Sequence, residues 1–180
     1  GSHTVDINQA ALTLTTDDVT KTYDGSTDAD GTPTVDSGQL YTDDSVSGGD
    51  YAFADADAGD NKTVTVNKIT VSDGNSGGNY NVSYADNFTS TINERPLTVS
   101  GSFSVDDKSY DGTTDATISE DNLALENTVV GDNLVLRPDV AFEKAVPGDN
   151  LQVHLTADSG LNGDDTPNYR LDLTGSPTTT

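Results

Sequence analysis

Apolar residues recur at every second position along much of the chain. In the first half Leu12 and Leu14, Val64 and Val66, Ile69 and Val71, and Val82 and Tyr84 alternate with Thr, Asn or Ser. In the second half Leu134 and Leu136, Val140 and Phe142, the run Leu151, Val153 and Leu155, and Leu171 and Leu173 do the same. A period of two puts alternate side chains on opposite faces of a strand, so the pattern predicts antiparallel sheets with one apolar and one wet face. Between these runs stand Asp24-Gly25, Gly48-Gly49, Gly59-Asp60-Asn61 and Asp73-Gly74, which predict turns. No segment of ten or more residues carries a helical stripe, and the one helical expectation is a short turn within 119–127.

The chain also repeats itself. Lys21-Thr22-Tyr23-Asp24-Gly25-Ser26-Thr27-Asp28-Ala29 returns as Lys108-Ser109-Tyr110-Asp111-Gly112-Thr113-Thr114-Asp115-Ala116, 87 residues later. Ala52-Phe53, Gly59-Asp60-Asn61 and Asn79-Tyr80 return in order as Ala141-Phe142, Gly148-Asp149-Asn150 and Asn168-Tyr169, at an offset of 89. Leu12-Thr13-Leu14 returns as Leu97-Thr98-Val99, and Ile7-Asn8 as Ile92-Asn93, at an offset of 85. Ordered anchors with small insertions indicate duplication of a unit about as long as a small β-sandwich. The expected organisation is a cloning scar at 1–3, the tail of a preceding repeat or a linker at 4–10, β domains at 11–95 and 96–175, and a linker or truncated last strand at 176–180. On this reading the chain is a piece of a longer array. The join carries no Gly, and Pro96 restricts Arg95, so it is expected to be short and stiff.

The favoured fold is all-β, two tandem Ig-like sandwiches; the alternative is a pair of β-grasp-like small sheets with one short helix. Leu, Ile, Val and Phe make up about 21% of the chain, a thin core close to the level at which a charged chain stays unfolded. The matched alternation in both copies argues against disorder.

Composition narrows function by exclusion. The 31 acidic residues against 8 Lys and Arg give a net charge of −23, which disfavours nucleic acid as a partner, since its binding is driven by basic side chains on phosphates. With no Cys there is no disulfide, thiolate nucleophile or Cys-ligated zinc. No apolar run approaches the length of a membrane-spanning helix. His154 is the one His outside the amino-terminal scar, too few for a His-based triad or a three-His zinc site.

The Lys-x-Tyr-Asp-Gly-[Ser/Thr]-Thr-Asp-Ala signature, with the Ala-Phe, Gly-Asp and Asn-Tyr anchors after it, resembles the YDG and MBG-type tandem repeats of large bacterial surface adhesins, including filamentous-haemagglutinin-like exoproteins. The likeness covers residues 11–175. It implies an extracellular, cell-surface, non-enzymatic extender module that spaces a binding tip from the cell. Its expected partners are neighbouring repeats of the same chain and a host or environmental surface ligand, and the piece itself is expected to be a monomer. Direct binding of a glycan, a host surface or ice is the alternative function.

Within the signature, Lys21, Tyr23, Asp24 and Gly25, and their counterparts Lys108, Tyr110, Asp111 and Gly112, are expected to be structural: a strand ending in a tight turn, the Lys paired with a nearby Asp. A sharper reading is an amide crosslink from Lys21 or Lys108 to Asn79 or Asn168. Asp55, Asp57 and Asp60 place oxygen ligands at near-alternate positions and make calcium the candidate cofactor, although the EF-hand spacing fails. The acidic pairs Asp17-Asp18, Asp43-Asp44, Asp106-Asp107 and Asp164-Asp165 are further candidate ligands at domain ends.

Overall fold

A computed structural model describes residues 3, 5–41 and 43–180. Of residues 1–3, expected to be a cloning scar, Gly1 and Ser2 lie outside the described residues. The chain divides into two compact units, 1–93 and 94–180. Its regular structure is strand throughout, apart from one 3-10 turn at Thr166–Asn168 among the described residues.

The first unit comprises β1 (Ala10–Thr16), β2 (Thr20–Thr22), β3 (Pro33–Gly38), β4 (Ser45–Phe53), β5 (Gly59–Ser72), β6 (Tyr80–Tyr84) and β7 (Asn87–Asn93). They form two sheets, ordered β3-β1-β6 and β2-β7-β5-β4. The β1–β6 and β2–β7 pairs are parallel, whereas β1–β3, β4–β5 and β5–β7 are antiparallel. Residues 17–19 join β1 to β2, and residues 85–86 join β6 to β7, so a parallel pair passes from one sheet to the other. The expected antiparallel sheets are thus mixed.

Leu12, Leu14, Val66, Ile69, Val71 and Tyr80 form one buried cluster, which the alternation in β1 and β5 supplies directly. Full burial of such a Leu, Ile or Val contributes roughly 1.5–3 kcal/mol each. In β5 the buried positions change from even to odd between Val66 and Ile69. The cause is a kink shared by both strands in unchanged register: Asp50 pairs with Asn67 and Gly48 with Ile69, and Gly49 and Lys68 stand one against one between these pairs, outside the ladder. Lys68 has φ 55° and Gly49 φ 119°, and a Cβ on Gly49 would lie 2.3 Å from the Tyr51 hydroxyl. Gly48-Gly49 is therefore an irregularity inside β4 and not the turn its composition predicts.

The second unit comprises β8 (Arg95–Val105), β9 (Ile118–Glu126), β10 (Val135–Arg137), β11 (Val140–Phe142), β12 (Val153–Leu155), β13 (Gly160–Asn162), the 3-10 turn, β14 (Tyr169–Leu171) and β15 (Thr178–Thr179). The sheets are β14-β8-β9, β11-β12-β15 and β10-β13. The parallel pair recurs in matching register, Arg95 opposite Tyr169 as Ala10 is opposite Tyr80. Val99, Phe103, Val140, Val153 and Leu155 form its core cluster. The expected helical turn within 119–127 is instead β9, held against β8 from Val105↔Ile118 to Thr98↔Glu126. Leu123 and Leu125 pack on the core from alternate positions, and that burial outweighs the helix preference of the Glu, Ala and Leu around them.

Candidate functional site

Each copy of the signature builds a turn pinned by its own lysine. Lys21 Nζ donates to Asp24 Oδ1 at 2.7 Å, to the Ser26 carbonyl at 2.8 Å and to Ser26 Oγ at 3.0 Å. It also lies 5.7 Å from the centre of the Phe53 ring. Asp24 accepts the Ser26 amide, and Gly25 takes φ 76°, the left-handed conformation the turn requires. In the second copy Lys108 Nζ lies 2.9 Å from Asp111 Oδ1 and reaches the Thr113 hydroxyl at 2.9 Å and the Asp115 carbonyl at 3.0 Å. Gly112 has φ 84°. Each turn then docks on the Ala-Phe strand: the Phe53 amide donates to the Thr27 carbonyl at 2.8 Å, and the Phe142 amide to that of Thr114 at 2.7 Å.

The pins perturb their carboxylates. The Thr113 amide and then Lys108 hold Asp111 down to about 2. At Asp24 desolvation raises the pKa, but the hydrogen bonds from Lys21 and Ser26 leave it lowered overall. The two turns differ in their tyrosines. Tyr23 is buried, its amide donating to the Asn93 carbonyl at 2.9 Å, whereas Tyr110 is 70% exposed.

A second repeated device was not foreseen from the sequence. The Tyr80 hydroxyl donates to Asp44 Oδ2 at 2.5 Å and accepts the Tyr41 amide at 2.9 Å. The Tyr169 hydroxyl donates to Asp132 Oδ2 at 2.7 Å and accepts the Val129 amide at 2.9 Å. In both units a buried Tyr on the parallel strand fastens a four-residue loop by its first amide and its last carboxylate. Burial, reinforced by the neighbouring Asp132, pushes Tyr169 up to about 12, and the same causes raise Tyr80.

The remaining candidates are dispersed. Asp55 is engaged by Lys62, and its Oδ1 also accepts the Asp57 amide at 3.1 Å. Asp60 Oδ1 lies 3.5 Å from the Thr91 hydroxyl. Among the described residues no three His, Cys, Asp or Glu side chains gather as metal ligands, so Asp55, Asp57 and Asp60 are not brought together as a cluster. Of the acidic pairs, Asp44 serves Tyr80, Asp18 accepts Asn87 and Thr89, and Asp165 accepts the Asn133 amide. Asn79 bonds with Asp73 and Asn75, and Lys21 and Lys108 each bond within their own turns. His154 is exposed on β12. No helix among the described residues is long and apolar enough to cross a membrane.

Two all-β units, each with the same lysine-pinned turn and the same tyrosine-fastened loop, define a tandem-repeat module. The chain belongs to the YDG domain family, whose pattern matches residues 8–87 and again 93–180. Comparison with curated proteins and with solved structures returns no match.

Proposed function

We propose that the two units are non-catalytic extender repeats of a bacterial cell-surface adhesin, spacing a binding tip from the cell. The observation that carries this reading is the direct succession of two units with the same pins: β7 ends at Asn93 and β8 begins at Arg95, leaving Glu94 alone between them. Pro96 fixes one backbone angle and restricts Arg95. Spacing needs no reacting groups, and the repeated side chains are used to hold loops against strands. The net charge of −23 suits an array of identical neighbours, which must avoid pairing edge to edge.

Arrays of glycans and extracellular-matrix proteins, probed with this chain with and without calcium, test the reading. An extender leaves every spot empty at micromolar concentration in both conditions. Saturable retention on one ligand class contradicts it and favours the binding-module alternative.

A further inference from the structure

The second unit holds one long strand edge open. Among the described residues β9 pairs with β8 alone, and β10, across a groove from it, pairs with β13 alone. The groove, about 480 Å³, is lined by Asp121, Leu123, Leu125, Asp132, Leu134 and Leu136 among others. All four leucines are half-buried. Two contacts fix which backbone groups of β9 face the open edge. A Cβ on Gly101 would lie 2.1 Å from the Asn122 carbonyl oxygen, so that carbonyl is turned toward β8. The Leu123 amide instead donates to Asp121 Oδ1, on its own strand, at 3.0 Å. Successive residues of an antiparallel strand turn their backbone groups to opposite sides, so Asp121, Leu123 and Leu125 present N–H and C=O to the open edge.

Edges of this kind are commonly blunted by Pro, Lys or an irregularity. The first unit has such devices: β3 opens on Pro33, the β1–β3 register shifts between Thr13 and Leu14, and β4 is kinked at Gly49. Between Ile118 and Glu126, β9 has no Pro, no Lys and no residue at positive φ. Its register against β8 is unbroken from Glu126 to Glu120. What guards this edge is charge. Glu120, Asp121 and Glu126 would meet the same residues of a second copy, in chains that each carry −23. That repulsion turns away a copy of this chain and favours a strand of the opposite sign.

We propose that the open edge of β9 takes up an extended cationic segment of another polypeptide, as an antiparallel strand in which apolar residues alternate with Lys or Arg. Its apolar side chains would lie beside Leu123 and Leu125 over the groove, and its cations beside Glu120 and Glu126 on the opposite face. Its backbone would bond Leu123 and Leu125, displacing Asp121 from the Leu123 amide, as in other strand additions to sheet edges. This goes beyond the extender reading. A short flexible strand pays its own ordering cost on binding, which places its affinity above the micromolar range probed for that reading, so either can fail without the other.

The probe is a capped peptide of alternating Lys and Val, titrated at low salt into the isotope-labelled full chain and followed by NMR. Amide shifts are expected on β9 and around the groove, with slowed hydrogen exchange at Leu123 and Leu125, and none on β3. N-methylation of every Val, whose N–H groups would face β9, keeps the peptide's charge and removes its pairing. It is expected to weaken binding about tenfold, as the loss of two or more hydrogen bonds requires. Glu120→Lys, a change at an exposed residue, is expected to weaken binding severalfold with the circular dichroism spectrum unchanged. No shift on β9, equal binding by the methylated peptide, or shifts spread over the acidic surfaces of both units would overturn the proposal.

Discussion

The Tyr80 hydroxyl sits 2.5 Å from Asp44 Oδ2, and the same bond recurs between Tyr169 and Asp132 at 2.7 Å. Each joins a strand of the parallel pair to a loop 36 or 37 residues away in sequence. Each hydroxyl also accepts a loop amide, so its removal deletes two hydrogen bonds.

Tyr169→Phe keeps the ring and deletes the bolt. It is expected to destabilise the second unit by about 0.5–1.5 kcal/mol, the net worth of a half-buried hydrogen bond. Urea denaturation followed by circular dichroism checks this; an unchanged midpoint contradicts it.

The same bolt fixes the behaviour in base. The folded pKa of Tyr169 is about 12, against an unfolded value of 10.0, so its contribution is fully present below pH 10 and is lost as pH rises toward 12. Phenolate absorbance should show Tyr169 ionising near 12, well above the usual tyrosine value of 10.0. Tyr169→Phe should make stability less dependent on pH over that window.

In acid the lysine-pinned turn has the opposite sign. Asp111 is held down to about 2, so its contribution is present above its usual value of 3.8 and fades as pH falls toward 2. Carboxyl carbon shifts in an NMR titration read this directly. Lys108→Gln is expected to move the Asp111 midpoint upward, with the Thr113 amide keeping it below 3.8.

Gly49→Ala places a Cβ against the Tyr51 ring at a residue with φ 119°. Backbone strain at such a position costs on the order of 1–3 kcal/mol. The steric conflict adds to it, so the first unit should unfold at lower temperature. Gly48→Ala also meets a positive φ but has open space around the new Cβ, so it should cost less.

Much of this fold was legible because burial follows the period-two rule in β1, β5 and β12, where Leu12, Val64 and Val153 fall on the buried face. The pinned turns were legible because Lys21, Asp24 and Gly25 act within a few residues of one another. Gly48-Gly49 misled because glycine marks any positive φ, and a kink inside a strand takes one as much as a turn does. Glu120 to Glu126 misled because local helix preference cannot register the pairing with β8. The Tyr80–Asp44 bolt joins distant positions, and its one sequence signal was that Asp44 and Tyr80 return as Asp132 and Tyr169, at offsets of 88 and 89. Asp55, Asp57 and Asp60 show the reverse case: spacing suggested ligands, while Lys62 engages the first of them.

Scanning calorimetry of the full chain carrying Tyr80→Phe or Tyr169→Phe tests most directly whether each repeat is stabilised on its own. Two transitions are expected, with Tyr80→Phe lowering one and Tyr169→Phe lowering the other. A single transition that both substitutions shift together would contradict the account.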